Sequence, residues 1–425
     1  MDMKKIIASL LLVAGTASAQ TYPIPQLPSV GSGDLFQDVQ NGVPSVPSTY
    51  VSATTLGNYA ATLPGNNAEN TLIGGDFSLN LFQRGTSVVV ASPANVTYTA
   101  DRWFAWGGTN TPVTVSQSTD APTNFLDSVK INKASGTGVK QVCFAQEVES
   151  ANATRYQGLT AELSFHAKAG SGFSAANSNL AVYILTGTGT DEGSSNAAYS
   201  INTGGGSSTA WTGATVLGGT NGYLVPINTA WIRYTVAAPI STGATELAVA
   251  ICYTPVGTGS STDWFELAGV QLDPNSALTT AAGSSGAYIG AADPRAKVFV
   301  RRQFEAEVAL QQRYAYSISE SGTTGALESA AGYYLTATTC TINFTFPVQM
   351  RVAPSYTNSL TASTFKIVPA TTAVALSTPF SAQATGQASV NGSTLTFTTT
   401  TETQYTACEL VSAAGGGQIL WSAEL

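Results

Sequence analysis

Between Thr71 and Asp273, apolar and polar residues alternate in short runs separated by turn-forming residues: SVVVAS, NVTYTADRWFAW, PVTVSQS, DSVKINKA, VKQVCFAQEV, LTAELSFHAKA, LAVYILTG, AWIRYTVAAP, ELAVAICYTP and DWFELAGVQL. A pleated strand sends successive side chains to opposite faces, so a period of two rich in Val, Ile and aromatics predicts strands buried on one face. Many such runs at regular spacing predict a sandwich or jelly roll. The glycine-rich run 187–222 breaks the alternation and predicts a long surface excursion, where binding residues tend to concentrate.

After the linker LTTAAGSSGAYIGAADP the period changes. Val300, Phe304 and Val308 stand at i, i+4 and i+8 between Lys297 and Tyr316, which predicts one short helix whose apolar stripe packs on a partner. Alternation resumes in YYLTATTCTINFTFPVQM, TFKIVPA, ASVNGSTLTFTTT, QYTACELVSA and GQILWSAEL. Within it, Asn391-Gly392 predicts a type I′ hairpin. The chain therefore reads as all-β: an extended arm over 1–70, a jelly-roll sandwich over 71–275, a linker and helix over 276–316, and a smaller C-terminal β-domain over 317–425.

The amino-terminal stretch MDMKKIIASLLLVAGTASAQ carries two lysines, an apolar run from Ile6 to Ala14 and the small residues Ala17-Ser18-Ala19, the layout of a secretory signal over 1–19. The run is shorter than the roughly 20 residues that span a bilayer, so no permanent membrane anchor is expected. Two readings follow: a cleaved export signal, or an apolar plug seated in a neighbouring subunit. From Thr21 to Asn70, six prolines (Pro23, Pro25, Pro28, Pro44, Pro47 and Pro64) preclude a self-packed domain. Tyr22, Ile24, Leu27, Leu35, Phe36 and Val39 then require a partner, and the segment reads as a docking arm.

Only 10% of residues are charged, against about 25% in an average soluble domain. Serine and threonine hydroxyls must supply much of the surface. The formal net charge of -8 argues against nucleic acid and anionic membranes, which need clustered Lys and Arg. The charges between Arg295 and Arg313 are mixed in sign and read as a solvated helix face. Cys143, Cys252, Cys340 and Cys408 form no CxxC pair, which excludes a zinc or thioredoxin motif. They are expected to pack as small hydrophobes. Disulfides Cys143–Cys252 and Cys340–Cys408 are the within-domain alternative for a protein maturing outside the cytosol.

Catalytic chemistry finds little to work with. His166 is the single histidine, inside an alternating run, and no G-x-S-x-G elbow occurs. A glycosidase would need two of Asp191, Glu192, Asp263 and Glu266 brought across a sugar bond. No enzyme is expected. No cofactor is expected either, with a structural calcium ion open through Asp76 or Asp273 and turn capping as the alternative use of those aspartates. Sugar recognition would fall to aromatic faces. Trp106, Trp211 and Tyr223 border glycine-rich breaks and are the candidate ligand-binding residues, whereas Trp103, Trp231 and Trp264 lie in alternating runs and are assigned to the core.

The string NTLIGGDFSLNLFQRGTS (Asn70 to Ser87), followed by YTADRWFAW, resembles the opening of a carbohydrate-binding-like jelly-roll domain of bacteriophage tail-fibre and appendage proteins. LTAELSFHAKA, TAWIRYTV and FELAGVQLD resemble its later strands in order. DPRAKVFVRRQFEAEVALQQRYAY resembles the helical linker that follows, and FPVQMRVAPSYT the C-terminal domain. The family has Trp where this chain has Phe82 and His166, so neither is carried over as a sugar-stacking residue. The resemblance implies a virion protein, a homotrimeric tail-fibre or appendage subunit, joined to other virion proteins through residues 1–70 and attaching to a host surface glycan or protein. The alternatives are a secreted bacterial carbohydrate-binding protein, if residues 1–19 are cleaved, and a tailspike-type polysaccharide depolymerase.

Overall fold

Every alternating run of the first β-region contains a strand in the computed structural model, which describes residues 70–425 except 92–95, 205–208, 276–286, 291–295, 320–324, 359–364, 370–373, 376–387, 400–401 and 413–417. The arm and signal-like segment expected over 1–70 fall, up to residue 69, outside the described residues. Ala68–Leu425 forms one unit, separate from Met1–Asn67.

With strands numbered in chain order, two antiparallel sheets make a sandwich. The first runs β1 (Ser87–Val90), β4 (Val113–Ser118), β5 (Ser128–Asn132), β13 (Trp264–Pro274), β7 (Thr160–Ala169), β11 (Ile232–Pro239), β14 (Ala287–Gly290). The second runs β10 (Tyr223–Pro226), β8 (Asn179–Gly187), β12 (Glu246–Tyr253), β6 (Val142–Val148), β3 (Phe104–Trp106), β2 (Thr97–Tyr98), with β9 (Thr215–Leu217) also on β8. Val115, Ile131, Leu163, Phe165, Phe265 and Leu267 of the first sheet share one core with Phe144, Val182, Ile184, Val249 and Ile251 of the second. Trp103 stacks on Phe144 with ring centres 4.8 Å apart. The expected all-β jelly-roll sandwich is what forms.

The glycine-rich run departs from its reading as an open excursion. The outer face of the second sheet is apolar, with Phe104, Trp106, Tyr183, Ala248 and Ala250, and a face of that kind must be covered. The run supplies the cover: a helix over Ser194–Thr203 lays Ala197, Ala198 and Ile201 on that face. Cys143 and Cys252, register partners on β6 and β12, are joined as a disulfide, as are Cys340 and Cys408. The cysteines therefore form the bridged alternative and do not remain free hydrophobes.

The helix expected after the linker spans Phe304–Gln312, shorter than its pattern, and it is turned over. Phe304 of the expected apolar stripe is 53% exposed, while Glu307 and Gln311 are buried. Glu307 accepts from the Gly74 amide and from Arg302, and Gln311 bridges the Leu79 carbonyl (2.9 Å) and the Leu81 amide (2.8 Å). Irregular backbone over 72–82 leaves amides and carbonyls without ladder partners, and satisfying them outweighs covering one phenyl ring. Among the described residues no helix is long and apolar enough to cross a membrane.

The C-terminal region holds a three-stranded sheet, β15 (Ala315–Ser319), β24 (Gln418–Ser422) and β18 (Ser355–Asn358), and a seven-stranded sheet that includes β17 (Thr339–Thr345) and β22 (Gly392–Thr398). Its core gathers Trp421, Phe344, Phe346, Met350, Leu395 and Phe397. The hairpin sits one residue earlier than predicted. Ser389 pairs with Gly392, so Val390 and Asn391 form the turn, and neither has the positive φ that a type I′ turn requires. Gly392 serves another need, since a Cβ there would lie 2.5 Å from the Phe344 carbonyl oxygen.

Candidate carbohydrate-binding face

The three aromatic residues singled out beside glycine-rich breaks are core residues. Trp106 and Trp211 are 2% and 3% exposed and lie beneath the Ser194–Thr203 helix, and Tyr223 is 7% exposed in the sandwich core. Each buried indole N–H has a partner: Trp106 donates to Asn202 Oδ1 (3.2 Å) and Trp211 to the Glu192 carbonyl (3.1 Å). None of the three rings presents a face to a ligand. The breaks around them are crossings of covered sheet, where a large side chain seals the seam.

The opening motif from Asn70 to Arg84 works as a joint. Asn70 Oδ1 accepts from the amides of Leu72 and Leu272. Gly75 allows backbone contact, because a Cβ there would fall 2.2 Å from the Val270 carbonyl oxygen. Asp76 caps the Ser78 amide and pairs with Arg301, the turn-capping use of that aspartate. Gln83 donates to the Ala315 carbonyl and accepts from the Ser317 amide. Arg84 joins Asp101 to Glu424, and Arg102, buried and stacked 3.7 Å from the Tyr314 ring centre, also reaches Glu424. Polar bonds thus weld the sandwich to the C-terminal β-region.

The outer face of the first sheet is built differently at its two ends. At one end, Glu162, Ser164, Gln271 and Asp273 lie beneath residues 297–300, held by bonds from the Lys297 amide to Glu162 and from the Val300 amide to Gln271. Burial pushes the Asp273 carboxyl up to about 6. Among the described residues, no three His, Cys, Asp or Glu side chains converge as a metal site. Asp76 and Asp273, the calcium candidates, are instead taken up by Arg301 and by Gln271.

The other end is open, and its register lines up complementary groups. Lys130, Glu266 and Lys168 are cross-strand partners on β5, β13 and β7, all out of phase with the core residues Phe265 and Leu267. Trp264 and Trp231, both partly exposed, flank this row. Trp264 opens β13 and Trp231 immediately precedes β11, the strands on either side of β7, so their backbones lie about 10 Å apart across the sheet. The Lys130 ammonium lies 4.4 Å from the Trp264 ring centre and 3.4 Å from Glu266 Oε1, which also accepts from Ser118 Oγ (2.9 Å). Trp231 Nε1 donates to Asp120 Oδ1 (3.0 Å), and Lys168 pairs with the same carboxylate. Burial opposes ionisation of Asp120, but these hydrogen bonds hold it below the usual carboxylate range. Gly170 lets the Trp264 indole lie against the backbone, since a Cβ there would sit 2.7 Å from the ring. Two indoles, two lysines and the Asp120 carboxylate, with Glu266 buried beneath Lys130 at 0% exposure, make a face suited to a polyhydroxylated, uncharged ligand. The alternation assigns both tryptophans to the core, and the structure places them on the outer face instead.

The carboxylates considered for hydrolysis are dispersed. Asp263 binds the Ser174 amide and hydroxyl, Glu266 belongs to the open face, and Asp191 bonds Ser150 beyond the second sheet. Glu192 is brought to Glu246, whose Oε1 accepts from its amide (2.7 Å). His166 packs 5.3 Å from the Phe125 ring, and burial, with Arg233 close by, lowers its pKa to about 4.

No protein-family model matches the chain, and no curated protein does. Among solved structures it is similar to the enzymatically active domain of bacteriophage CBA120 tailspike protein 4, at 13% identity and a TM-score of 0.29, over 48% of this chain and 21% of that one. It is similar to a family 16 carbohydrate-binding module (14% identity, TM-score 0.22, 37% of this chain and 84% of that one). It is also similar to the C-terminal family 22 carbohydrate-binding module of Clostridium thermocellum Xyn10B (14% identity, TM-score 0.24, 45% of this chain and 89% of that one). The chain thus spans about a fifth of the tailspike domain's length.

Proposed function

We propose that this chain is a non-catalytic bacteriophage appendage subunit whose sandwich attaches to a host surface glycan through the open face of its first sheet. The observation that carries the binding role is the pair of partly exposed indoles, Trp231 and Trp264, set beside lysine ammoniums on a rigid sheet. Rigid aromatic platforms on strands lose little entropy on binding. The phage assignment rests on the ordered motif series from Asn70 to Thr357. The homotrimer rests on the same resemblance, and the exposed Phe304 and Val298 are apolar groups that a second copy would cover. Negative-stain images of particles with and without the gene test the virion role: a missing appendage supports it, and unchanged particles dispose of it. Affinity electrophoresis of the full chain through host polysaccharide tests the face. Retardation that persists in Trp231→Ala/Trp264→Ala rules this face out.

A further inference from the structure

The second sheet is covered over most of its outer face, but the cover stops at its β10 end. There a cleft of about 250 Å3 opens between the 175–179 turn, the 219–222 turn and the start of β6. Pockets for drug-sized ligands run from about 300 Å3 upward, so this one has room for a single sugar ring. Its lining is uncharged and mixed: Gln141, Asn177, Asn179, Tyr183, Thr220 and Asn221 contribute amides and hydroxyls beside three alanines and Leu224, and none of the lining residues is Asp, Glu, Lys, Arg or His. Side-chain amides pair a donor with an acceptor at the spacing of vicinal hydroxyls, and an uncharged site does not repay the desolvation of an ionised ligand.

Three local features show a cleft held in shape. Gln141 Nε2 donates to the Tyr183 hydroxyl at 2.7 Å, and that hydroxyl donates to the Thr220 carbonyl at 3.2 Å, which ties the two walls together. Gly222, at φ +65°, lies so close that a Cβ would be 3.0 Å from the Tyr183 ring. Asn177 and Ser178 both adopt left-handed backbone, at φ 56° and 52°. Consecutive non-glycine residues of this kind are strained and persist only where surrounding bonds hold them. The Ser178 amide is bonded to Ala175 (3.0 Å) and its carbonyl accepts from Ile227 (2.9 Å). At the rim, Leu224 is exposed and offers an apolar patch to the C–H side of a sugar ring.

We propose that this cleft is a second carbohydrate site, taking one neutral pyranose, on the sheet opposite the tryptophan face and independent of it. The test is ligand-observed NMR and calorimetry on the full chain with free glucose, galactose, mannose, N-acetylglucosamine and glucuronate. At least one neutral sugar is expected to bind saturably in the millimolar range, with glucuronate weaker by about tenfold or more. Asn177→Gly keeps the left-handed turn while removing the amide, and combined with Asn221→Ala it should weaken binding about tenfold or more. Trp231→Ala/Trp264→Ala should leave it unchanged, which separates this site from the open face. Absence of saturable binding by all four neutral sugars overturns the proposal, as does binding that survives Asn177→Gly/Asn221→Ala or is equal for glucuronate.

Discussion

Replacing Glu307 by Ala probes what holds the Phe304–Gln312 helix against the sandwich. Glu307 is 3% exposed, accepts from the Gly74 amide and pairs with Arg302 Nη1 at 2.8 Å. Removing one partner of a buried ion pair costs about 3–5 kcal/mol, mostly because the remaining charge is left uncompensated. An unfolding entropy of about 2.1 cal/mol/K per residue over the roughly 360 residues of Ala68–Leu425 means that 1 kcal/mol moves Tm by about 1.3 °C. Glu307→Ala should therefore lower Tm by about 4–7 °C, followed by circular dichroism of the full chain, while Phe304→Ala, which removes a side chain 53% exposed, should cost under about 1 kcal/mol. A larger loss in Phe304→Ala than in Glu307→Ala would refute the polar docking and restore the apolar stripe as the buried side.

Three further outcomes follow from the same geometry. Burial pushes Glu246 up to about 7, with Glu192 beside it adding to the shift, and holds Asp101 and Asp273 at about 6. These folded values lie above the unfolded values near 4, so the stability they contribute is complete below about pH 4 and lost as pH rises through 6 to 7. Urea midpoints should fall between about pH 5 and pH 8, and Glu246→Gln should flatten the profile; a rise with pH contradicts the assignment. Opening Cys143–Cys252, separated by 109 residues, should cost about 5 kcal/mol on the loop-entropy estimate, and Cys340–Cys408, separated by 68, slightly less. Paired Cys→Ser variants that melt like the parent would show that the bridges do not form. Gly170→Ala would set a Cβ 2.3 Å from the Thr262 carbonyl oxygen and 2.7 Å from the Trp264 ring, so polysaccharide retardation and Tm should fall together, and a variant that keeps both at the parent's values contradicts the packing.

Strand identity was legible in the ten alternating runs, because a one-residue slip would turn each core set to solvent, but not in the short strands β9, β10 and β14, the first inside the glycine-rich run and the last inside the stretch read as a linker. Alternation cannot say by itself which parity faces inward, and this is where the tryptophans were misassigned. The signal was present: Trp264 shares its parity with Glu266 and opposes Phe265 and Leu267, so the apolar majority of that strand already pointed it outward. Trp106 shows the converse case. Its face of β3 is covered by a helix drawn from the glycine-rich run, and no local pattern reports a cover supplied almost 100 residues away. The Phe304–Gln312 helix was placed but turned over, because Glu307 and Gln311 answer unpaired backbone groups 233 and 230 residues distant in sequence. Asn391-Gly392 marked a turn, yet cross-strand contact with Phe344 shifted it by one residue.

Calorimetric titration of one host polysaccharide into the parent, Trp231→Ala/Trp264→Ala and Trp106→Phe decides whether the glycan site is the open face at Trp231 and Trp264. Loss of about tenfold affinity per removed indole, roughly 1.4 kcal/mol each, is predicted for the double variant, with Trp106→Phe binding as the parent does. Unchanged binding in the double variant, or loss confined to Trp106→Phe, contradicts the claim.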